Sequence, residues 1–276
     1  MEEKGRFMPG QAYVALSRVK NLNGLYLLGF DASAIRVNPA VRTEINRLRR
    51  HATHSTQIPR TIPSAETSMS VRFLNIRSYK EHQEDLANDK TIDEVDVYCF
   101  VEIFLKDTDQ VSPILRDSTT FRMDRPTSAG HGGGVMITAR TDILPQELAL
   151  PANGLELAAV SVTKCSTKID IVTIYRRPHL NIATFTSRLQ TLTNSLSTDN
   201  VNIILGDFNI NILDSSNHGI LTIMEHCGFT QQVKVPTTDY GTLLDHVYIN
   251  KTGLAEIHVI DTYFSDHDTI SISLNL

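Results

Sequence analysis

The length, composition and charge of the chain narrow the classes of protein to which it can belong. It has 276 residues, of which 41% are hydrophobic, and a formal net charge of −5. This is enough apolar material for one good-sized core with an appendage. Its three cysteines are too widely spaced for a disulfide framework or a zinc ribbon, which favours a reducing compartment. No stretch reaches the roughly 18–20 uninterrupted apolar residues of a membrane helix, and the N-terminus lacks the apolar region of a secretory signal. We therefore expect an intracellular protein with no membrane partner.

Charge divides the chain into pieces of different character. Residues 1–70 hold 10 basic and 5 acidic side chains, a net of +5, whereas residues 71–276 hold 16 and 26, a net of −10. Between them, residues 51–70 are rich in Ser, Thr and Pro and have no apolar period, as is typical of a linker. The sequence thus predicts an N-terminal piece over 1–50, a linker over 51–70 and a larger domain over 71–276.

The larger piece is predicted to contain many strands and few helices. Its runs rich in Val and Ile predict strands over 71–76, 95–102, 132–138, 155–162, 168–175, 201–208, 245–250, 256–260 and 269–274. Helical spacing of apolar residues favours a helix within 182–198, and shorter helices are predicted over 78–89 and 218–229. Strands that outnumber helices and seldom alternate with them argue against a doubly wound sheet. They favour an α+β fold with two packed sheets and helices outside.

The stretch "NIILGDFNIN" raises the question of function. An apolar run ends there in Gly206, Asp207, Phe208 and Asn209. Side chains alternate along a strand, so Asp207 and Asn209 are expected to point to one face, and Gly206 permits a bend or the close approach of a ligand. The alternative is an ordinary Asx turn at a strand end, since Asp and Asn both favour turns.

Four other strand ends also carry polar groups. Asn75 closes "FLN", Glu102 ends the run "VYCFVE", Asp245 opens "DHVYIN", and Asp266 with His267 precedes the last strand. Carboxylate oxygens, with water completing the shell, are the ligands that Mg²⁺ uses. A histidine beside carboxylates suits proton transfer. Together these residues predict a metal site with a group for proton transfer beside it.

Taken in order, these stretches resemble the endonuclease/exonuclease/phosphatase family, which includes exonuclease III-like and DNase I-like enzymes. The most specific motifs are "ILGDFNIN" and "SDHD"; "NIRS", "VEIFL" and "YRRP" follow in the family's order, and "PTTDYGTLLDHVYIN" is similar to the mobile-element branch. The resemblance covers residues 71–276. It implies a four-layer α/β/β/α sandwich, two mixed β-sheets flanked by helices, and Mg²⁺ (or Mn²⁺) as the cofactor.

The resemblance also implies a role for each matching residue. Glu102 would bind the metal, with Asn75 helping to position the metal or the phosphate and Asp266 as a further ligand or charge support. The catalytic set that it implies is Tyr175, at the phosphate; Asp207, orienting or deprotonating water; Asn209, holding charge on the phosphoryl oxygen; and His267, oriented by Asp245. Tyr175 could alternatively be a packed strand aromatic.

Three arginines are candidates for binding the substrate. Many relatives carry an acidic residue at the position of Arg77, so a second metal ligand there is doubtful and a phosphate contact is expected instead. Arg176 and Arg177, in "YRRP", are predicted to grip the DNA backbone, although surface arginines are common. The net charge of −10 opposes binding to nucleic acid. The glycines after His131 in "GHGGGV" predict a tight turn and not a phosphate loop, because no Lys-Ser/Thr pair follows.

The first fifty residues carry a second resemblance. "GQAYVALSRVKNLNGLYLLGFDASAIRVNPAV" is similar to the last block of PIF-type DNA helicases, as found in Helitron transposons. In that family the matching arginine, here Arg18, meets the γ-phosphate of ATP. The phosphate-binding loop that must precede it is absent from this sequence, so the resemblance predicts a helicase remnant without ATPase activity.

A helicase tail followed by a nuclease is the order of Helentron-type transposon proteins. We therefore expect a fragment of such a protein: a metal-dependent DNA endonuclease that nicks DNA, with DNA as its partner and a nuclear location. Two alternatives stay open. One is a phosphatase or phosphodiesterase on a non-DNA ester, and the other is a decayed copy that binds DNA without cutting it. The sequence leaves the oligomeric state, the sequence preference and the number of metal ions undetermined.

Overall fold

The computed structural model describes residues 67–276 apart from 90, 127–131, 152 and 218. The predicted helicase remnant at 1–50, with Arg18, and linker residues 51–66 lie outside the described residues, as does His131. The described part contains three α-helices, α1 Tyr79–Ala87, α2 Ile182–Thr193 and α3 Gly219–His226. It contains twelve strands: β1 Ser68–Asn75, β2 Val97–Val101, β3 Ser118–Met123, β4 Val135–Arg140, β5 Gln146–Glu147, β6 Glu156–Lys164, β7 Thr167–Tyr175, β8 Val201–Asp207, β9 Thr230–Gln231, β10 Asp245–Ile249, β11 Ala255–Ile260 and β12 Thr269–Asn275.

The strands form two mixed sheets of six. The first sheet has the order β11-β12-β1-β2-β4-β3 and the second the order β5-β6-β7-β8-β10-β9. Each contains one parallel pair, β1–β2 in the first and β7–β8 in the second, and its other pairs are antiparallel. A parallel pair needs a crossover, and α1 and α2 lie in these two connections. The predicted four-layer sandwich of two packed mixed sheets with few helices is confirmed.

The main core lies between the two sheets. Alternate residues of β1 face its two sides: Val71 and Phe73 belong to the large apolar cluster shared with the second sheet, whereas Leu74 packs in a smaller cluster with Tyr79 of α1. Burial on both faces explains why these strands are continuous apolar runs. Packing on both sides also fixes where each strand ends, and the strand ends carry the polar residues singled out from the sequence.

The structure corrects the edges of several predicted elements. β1 begins at Ser68 and pairs with β12 from that residue, so the last residues of the predicted linker belong to the folded domain. Three strands were not predicted: β3, whose "STTFRM" lacks a continuous apolar face, and the two-residue strands β5 and β9. α2 begins after Asn181, whose side chain accepts a hydrogen bond from Thr184 N, and it ends at Thr193.

Among the described residues, none of the helices is both long and apolar enough to cross a membrane.

Candidate active site

The carboxyl ends of the two parallel pairs define the position of the site. In the first sheet Asn75 is paired with Val101, the residue before Glu102. In the second sheet Tyr175 is paired with Asp207, and Asp207 in turn with Asp245. Parallel strands end at the same edge of a sheet, so each sheet presents its polar residues together at one edge.

Three hydrogen bonds join these two edges. Asn75 Nδ2 donates to Asp207 Oδ2 at 3.0 Å, and the Tyr175 hydroxyl donates to Glu102 Oε1 at 2.8 Å. The third joins His267 Nδ1 to Asp245 Oδ2 at 2.8 Å. Each bond pairs a residue at the edge of the first sheet, or just before its strand β12, with one from the second sheet. The structure therefore brings six of the predicted residues into one site.

The backbone around "GDFN" is shaped by two special conformations. A Cβ on Gly206 would lie 1.9 Å from Ile174 O, so only glycine lets β8 approach β7 there. Asn209 has a φ of 49°, in the left-handed region that Asn tolerates better than most residues. Asn209 N donates to Asp207 Oδ1 at 2.9 Å, which is the Asx turn considered as the alternative. That turn uses one oxygen of the carboxylate, and Asn75 binds the other.

The amide of Asn209 is occupied within the protein. Its Nδ2 donates to Arg176 O at 2.8 Å and to Asp207 Oδ2 at 3.1 Å, and an amide nitrogen has two hydrogens. In this structure Asn209 therefore orients Asp207, and its donation to a phosphoryl oxygen stays a prediction.

Burial governs the electrostatics of the site. Asp207, Asp245 and His267 are buried, and their ligating atoms all lie within 4.8 Å of one another. Burial, with the charge of Asp245 added, raises the pKa of Asp207. Burial by itself lowers the pKa of His267, but the charge of Asp245 and the hydrogen bond to it outweigh burial and raise that pKa to about 9. Asp207 is thus suited to accept a proton and His267 to carry one.

Tyr175 makes specific polar contacts in addition to packing in its strand. Burial, followed by the charge of Glu102, raises the pKa of Tyr175, so its hydroxyl stays protonated and donates to the carboxylate. The guanidinium of Arg125 lies over its ring, 5.5 Å from the centroid. Tyr175 is therefore fixed at its hydroxyl by Glu102 and over its ring by Arg125.

The oxygen atoms at the site suit a hard divalent cation. Asn75 Oδ1, Asp245 Oδ1 and Asp266 Oδ1 are buried and have no hydrogen-bond partner among the described residues. Glu102 adds a further carboxylate, held by the hydrogen bond from Tyr175. Oxygen-only donors of this kind fit Mg²⁺ or Mn²⁺ and not a thiolate-seeking metal. The predicted metal ligands thus offer suitable atoms, and Asp207, Asp245 and His267 form a second group close enough to bind an ion.

The three predicted substrate-binding arginines have different environments. Arg77 Nη1 contacts Asp266 Oδ2 at 2.7 Å and is half-exposed; the hydrogen bond to Asp266 raises the pKa of Arg77. Arg177 is also half-exposed and donates through Nε to Glu156 Oε2 at 3.2 Å. The side chains of both arginines are therefore open to solvent.

Arg176 is a correction to the sequence prediction. It is buried, and its guanidinium donates to the carbonyl oxygens of Phe208, Asn209, Pro178 and Leu180. A guanidinium enclosed by carbonyls cannot grip a DNA backbone. It fixes instead the loop that follows Asp207.

Three residues near the site were not predicted from the sequence. Ser265 Oγ donates to Asn75 O at 2.8 Å and accepts from His267 N at 3.1 Å, so it ties two predicted residues together. Glu156 and Arg125 form a buried ion pair next to Tyr175. The only local signal for Glu156 was a charged residue opening an apolar strand, and Arg125 and Ser265 gave none.

Comparison with known proteins places the domain. The model of the Endonuclease/Exonuclease/phosphatase family matches residues 73–267. This match covers most of both packed sheets and the polar strand ends that face each other, and the chain belongs to the Endonuclease/Exonuclease/phosphatase family.

Solved structures share this fold at low sequence identity. The endonuclease domain of TRAS1, a telomere-specific non-LTR retrotransposon, superimposes with a TM-score of 0.62 at 16% identity, covering 76% of this chain and 99% of that one. The 3′ phosphatase NExo from Neisseria, bound to a product DNA hairpin, has a TM-score of 0.60 at 16% identity, covering 75% of this chain and all of that one.

A short stretch matches a different protein. Over 35 residues the chain is 57% identical to the ATP-dependent DNA helicase PIF1 of Xenopus laevis, which covers 13% of this chain. The chain spans 6% of the length of that helicase.

Proposed function

We propose that this protein is a metal-dependent phosphodiester hydrolase that nicks DNA. The observation that carries the proposal is the set of three hydrogen bonds, Asn75–Asp207, Glu102–Tyr175 and Asp245–His267, that join the facing edges of the two sheets. They place an acceptor for a proton, a protonated donor and several free oxygen ligands in one site. Membership of a family of nucleases and phosphatases supports the same chemistry.

The residues divide the reaction between them. Asp207, oriented by Asn75 and Asn209, accepts the proton of the attacking water, and its raised pKa suits a general base. His267, kept protonated by Asp245, donates to a phosphoryl oxygen as charge develops there. Tyr175 contacts the phosphate while its hydroxyl remains tied to Glu102. The water oxygen bonds to phosphorus as the bond between phosphorus and the leaving oxygen breaks, and the leaving oxygen takes a proton from solvent.

The metal would be held by the oxygen donors of the site. Glu102 and Asn75, with Asp266 in support, are its expected ligands, and Mg²⁺, or Mn²⁺ in its place, neutralises phosphate charge and helps to activate water when bound. Asp266 retains one free oxygen although Arg77 binds the other. Arg77 also gives the site a fixed positive charge beside the phosphate.

DNA is the substrate that the wider sequence favours. The N-terminal segment is basic and similar over a short stretch to a DNA helicase. One structural neighbour is the endonuclease domain of a retrotransposon, and another was solved with a DNA hairpin. Half-exposed Arg77 and Arg177 suit phosphate contacts. We infer a Helitron-like transposon protein that acts in the nucleus.

The competing function is hydrolysis of a phosphate ester other than DNA. The net charge of −10 over residues 71–276 favours it, because negative charge repels nucleic acid. The family includes phosphatases, so the site chemistry fits both substrates.

A plasmid assay tests the proposal. The full chain with supercoiled plasmid should produce nicked circles in Mg²⁺ or Mn²⁺ and none in EDTA. Glu102→Gln should raise the Mg²⁺ concentration required, because it removes a charged ligand, whereas Glu147→Gln, exposed on β5, should not. Hydrolysis of a soluble phosphate ester with intact plasmid would favour the competing function. Inactivity on both substrates, with DNA bound, would indicate a decayed copy.

A further inference from the structure

A buried carboxylate outside the predicted catalytic set lies next to Tyr175. Glu156, the first residue of β6, is paired directly with Tyr175 on β7. Side chains of directly paired residues lie on the same face of a sheet. Glu156 is only 8% exposed, and a charge buried to this degree is costly unless it is paired and hydrogen-bonded.

Glu156 is bound by donors of three residues. Its Oε2 accepts from Arg125 Nε at 3.3 Å and Nη2 at 3.0 Å and from Arg177 Nε at 3.2 Å. Its Oε1 accepts from the backbone N–H of Gly134. The carboxylate therefore connects two arginines to the turn that precedes β4. Of the residues given a role above, Arg177 bonds to Glu156 directly, whereas Glu102 and Tyr175 bond to each other.

One consequence concerns the backbone that carries Glu102. Phe104 N donates to Gly133 O at 3.0 Å and Ile103 N to Gly134 O at 3.5 Å. Glu102 itself has a φ of 52°, a conformation that its surroundings must impose. By binding the N–H of Gly134, Glu156 holds in place the turn to which the two residues after Glu102 are hydrogen-bonded.

The other consequence concerns the ring of Tyr175. Arg125, held by Glu156, lies with its guanidinium 5.5 Å from the centre of that ring. A Cβ on Gly133 would lie 2.3 Å from Arg125 Cζ and 2.4 Å from Glu156 Oε1, so the ion pair is packed directly against a glycine. Glu156 therefore acts on Glu102 through the Gly133–Gly134 turn and on Tyr175 through the guanidinium of Arg125. Glu102 and Tyr175 are joined by a hydrogen bond.

We propose that Glu156 is a positioning residue for the Glu102–Tyr175 pair, acting through Arg125 and through the Gly133–Gly134 backbone. It touches neither substrate nor metal. Its effect is to set the orientation of one metal ligand and of the phenol beside it. The roles of Glu102 as a metal ligand and of Tyr175 at the phosphate rest on the proposed function, whereas the hydrogen bond between them does not.

The test uses three variants of the full chain. Glu156→Gln keeps the size of the side chain and removes the charge that holds both arginines. Arg125→Lys keeps the positive charge and loses the planar fork, and it serves if Glu156→Gln does not fold. The matched control is Asp170→Asn, because Asp170 is another buried carboxylate of the β6–β7 hairpin, bonded to Ser161 and Asn200 at its far end.

Two measurements do not depend on DNA cleavage. Calorimetric titration with Mg²⁺ should give affinities about 10- to 100-fold weaker for Glu156→Gln and Arg125→Lys than for the wild type, the usual effect of losing a residue that orients a ligand. With ¹³C-labelled tyrosine, the ring signal of Tyr175, assigned by its loss in Tyr175→Phe, should shift in both variants without metal. Asp170→Asn should change neither quantity, even at an equal loss of melting temperature.

The outcomes separate this proposal from the proposed function. If Mg²⁺ affinity and the Tyr175 signal of both Glu156→Gln and Arg125→Lys match those of the wild type, Glu156 is structural and the proposal is overturned. If the wild type fails to nick plasmid while the variants still lose Mg²⁺ affinity and shift the Tyr175 signal, the DNA function fails and the positioning role stands.

Discussion

Asn75 and Asp207 are 132 residues apart in the chain and are joined by a hydrogen bond of 3.0 Å. Each stands at the end of a parallel strand in a different sheet, and both are buried. The amide donates to a carboxylate whose burial raises its pKa, so the bond helps to keep a charge where the surroundings disfavour one. The packing of the two sheets thereby sets the geometry of the proposed general base.

Asp207→Asn should separate activity from stability when it is compared with Asp170→Asn. The substitution removes the proposed base and should lower plasmid nicking about 10²- to 10⁴-fold. Asn cannot accept on both sides as this carboxylate does, so the melting temperature should fall as well. Asp170→Asn should lower the melting temperature for the same reason, because Asn cannot accept from both Ser161 and Asn200, but it should leave nicking per folded molecule unchanged. Full activity in Asp207→Asn would leave the Asx turn as the whole role of this residue.

The strand ends of the site could be predicted because their signal is local. Asn75, Glu102 and Asp207 each end an apolar run. A strand that is buried on both faces is apolar along its length, so a polar residue marks the point where it ends. Which strand ends meet depends on sheet order and packing, which no local pattern encodes. The resemblance to a known family supplied that part.

Other features escaped prediction for physical reasons. Arg176 and Arg177 are adjacent in "YRRP", yet one is buried among carbonyls and the other is half-exposed, since only the path of the loop decides which turns inward. The side-chain amide of Asn209 donates to Arg176 O, a partner that the sequence does not reveal. β5 and β9 are two residues long, too short for any periodic signal.

Tyr175→Phe should lower nicking with little loss of stability. The change removes the hydroxyl that donates to Glu102 and leaves the ring under Arg125. The loss should be about 10- to 100-fold, the usual effect of removing a group that orients a metal ligand, because the single proton of the hydroxyl is already donated to Glu102.

A buried tyrosine away from the site provides the control. The hydroxyl of Tyr248 contacts His246 Nδ1 at 3.0 Å. Tyr248→Phe leaves this buried nitrogen without its hydrogen-bond partner and should cost roughly 1–3 kcal/mol of stability. Its activity per folded molecule should be unchanged. If the two variants have the same activity, Tyr175 is only a packed aromatic.

Truncation tests where the folded domain begins. A chain starting at residue 71 lacks the first three residues of β1, including Met69, which is 1% exposed in the main core. Loss of that side chain and its pairing with β12 should destabilise the domain by roughly 2–5 kcal/mol relative to a chain starting at residue 61. Urea unfolding of the two truncated chains measures the difference. Equal stability would place the boundary at 71, as the sequence predicted.

The pair of His267 and Asp245 should make stability depend on alkaline pH. The pKa of His267 is raised to about 9 from an ordinary value of 6.5, so the folded state holds this proton more tightly than the unfolded state does. The resulting stabilisation is fully present below pH 6.5 and is lost as pH rises through about 9. Asp245→Asn removes the negative charge that raises the pKa of His267. The difference in melting temperature between wild type and variant should therefore be largest near pH 6 and should shrink above pH 9.

Two further measurements make this prediction specific. The imidazole signal of His267 in NMR should titrate near pH 9 in the wild type and at a lower pH in Asp245→Asn. Glu256→Gln, at the exposed contact between Glu256 and His258, should change the melting temperature little at any pH, because exposed ion pairs contribute little to stability. A difference between wild type and Asp245→Asn that stays constant from pH 6 to pH 10 would contradict the charged pair and leave Asp245 as a neutral packing partner of His267.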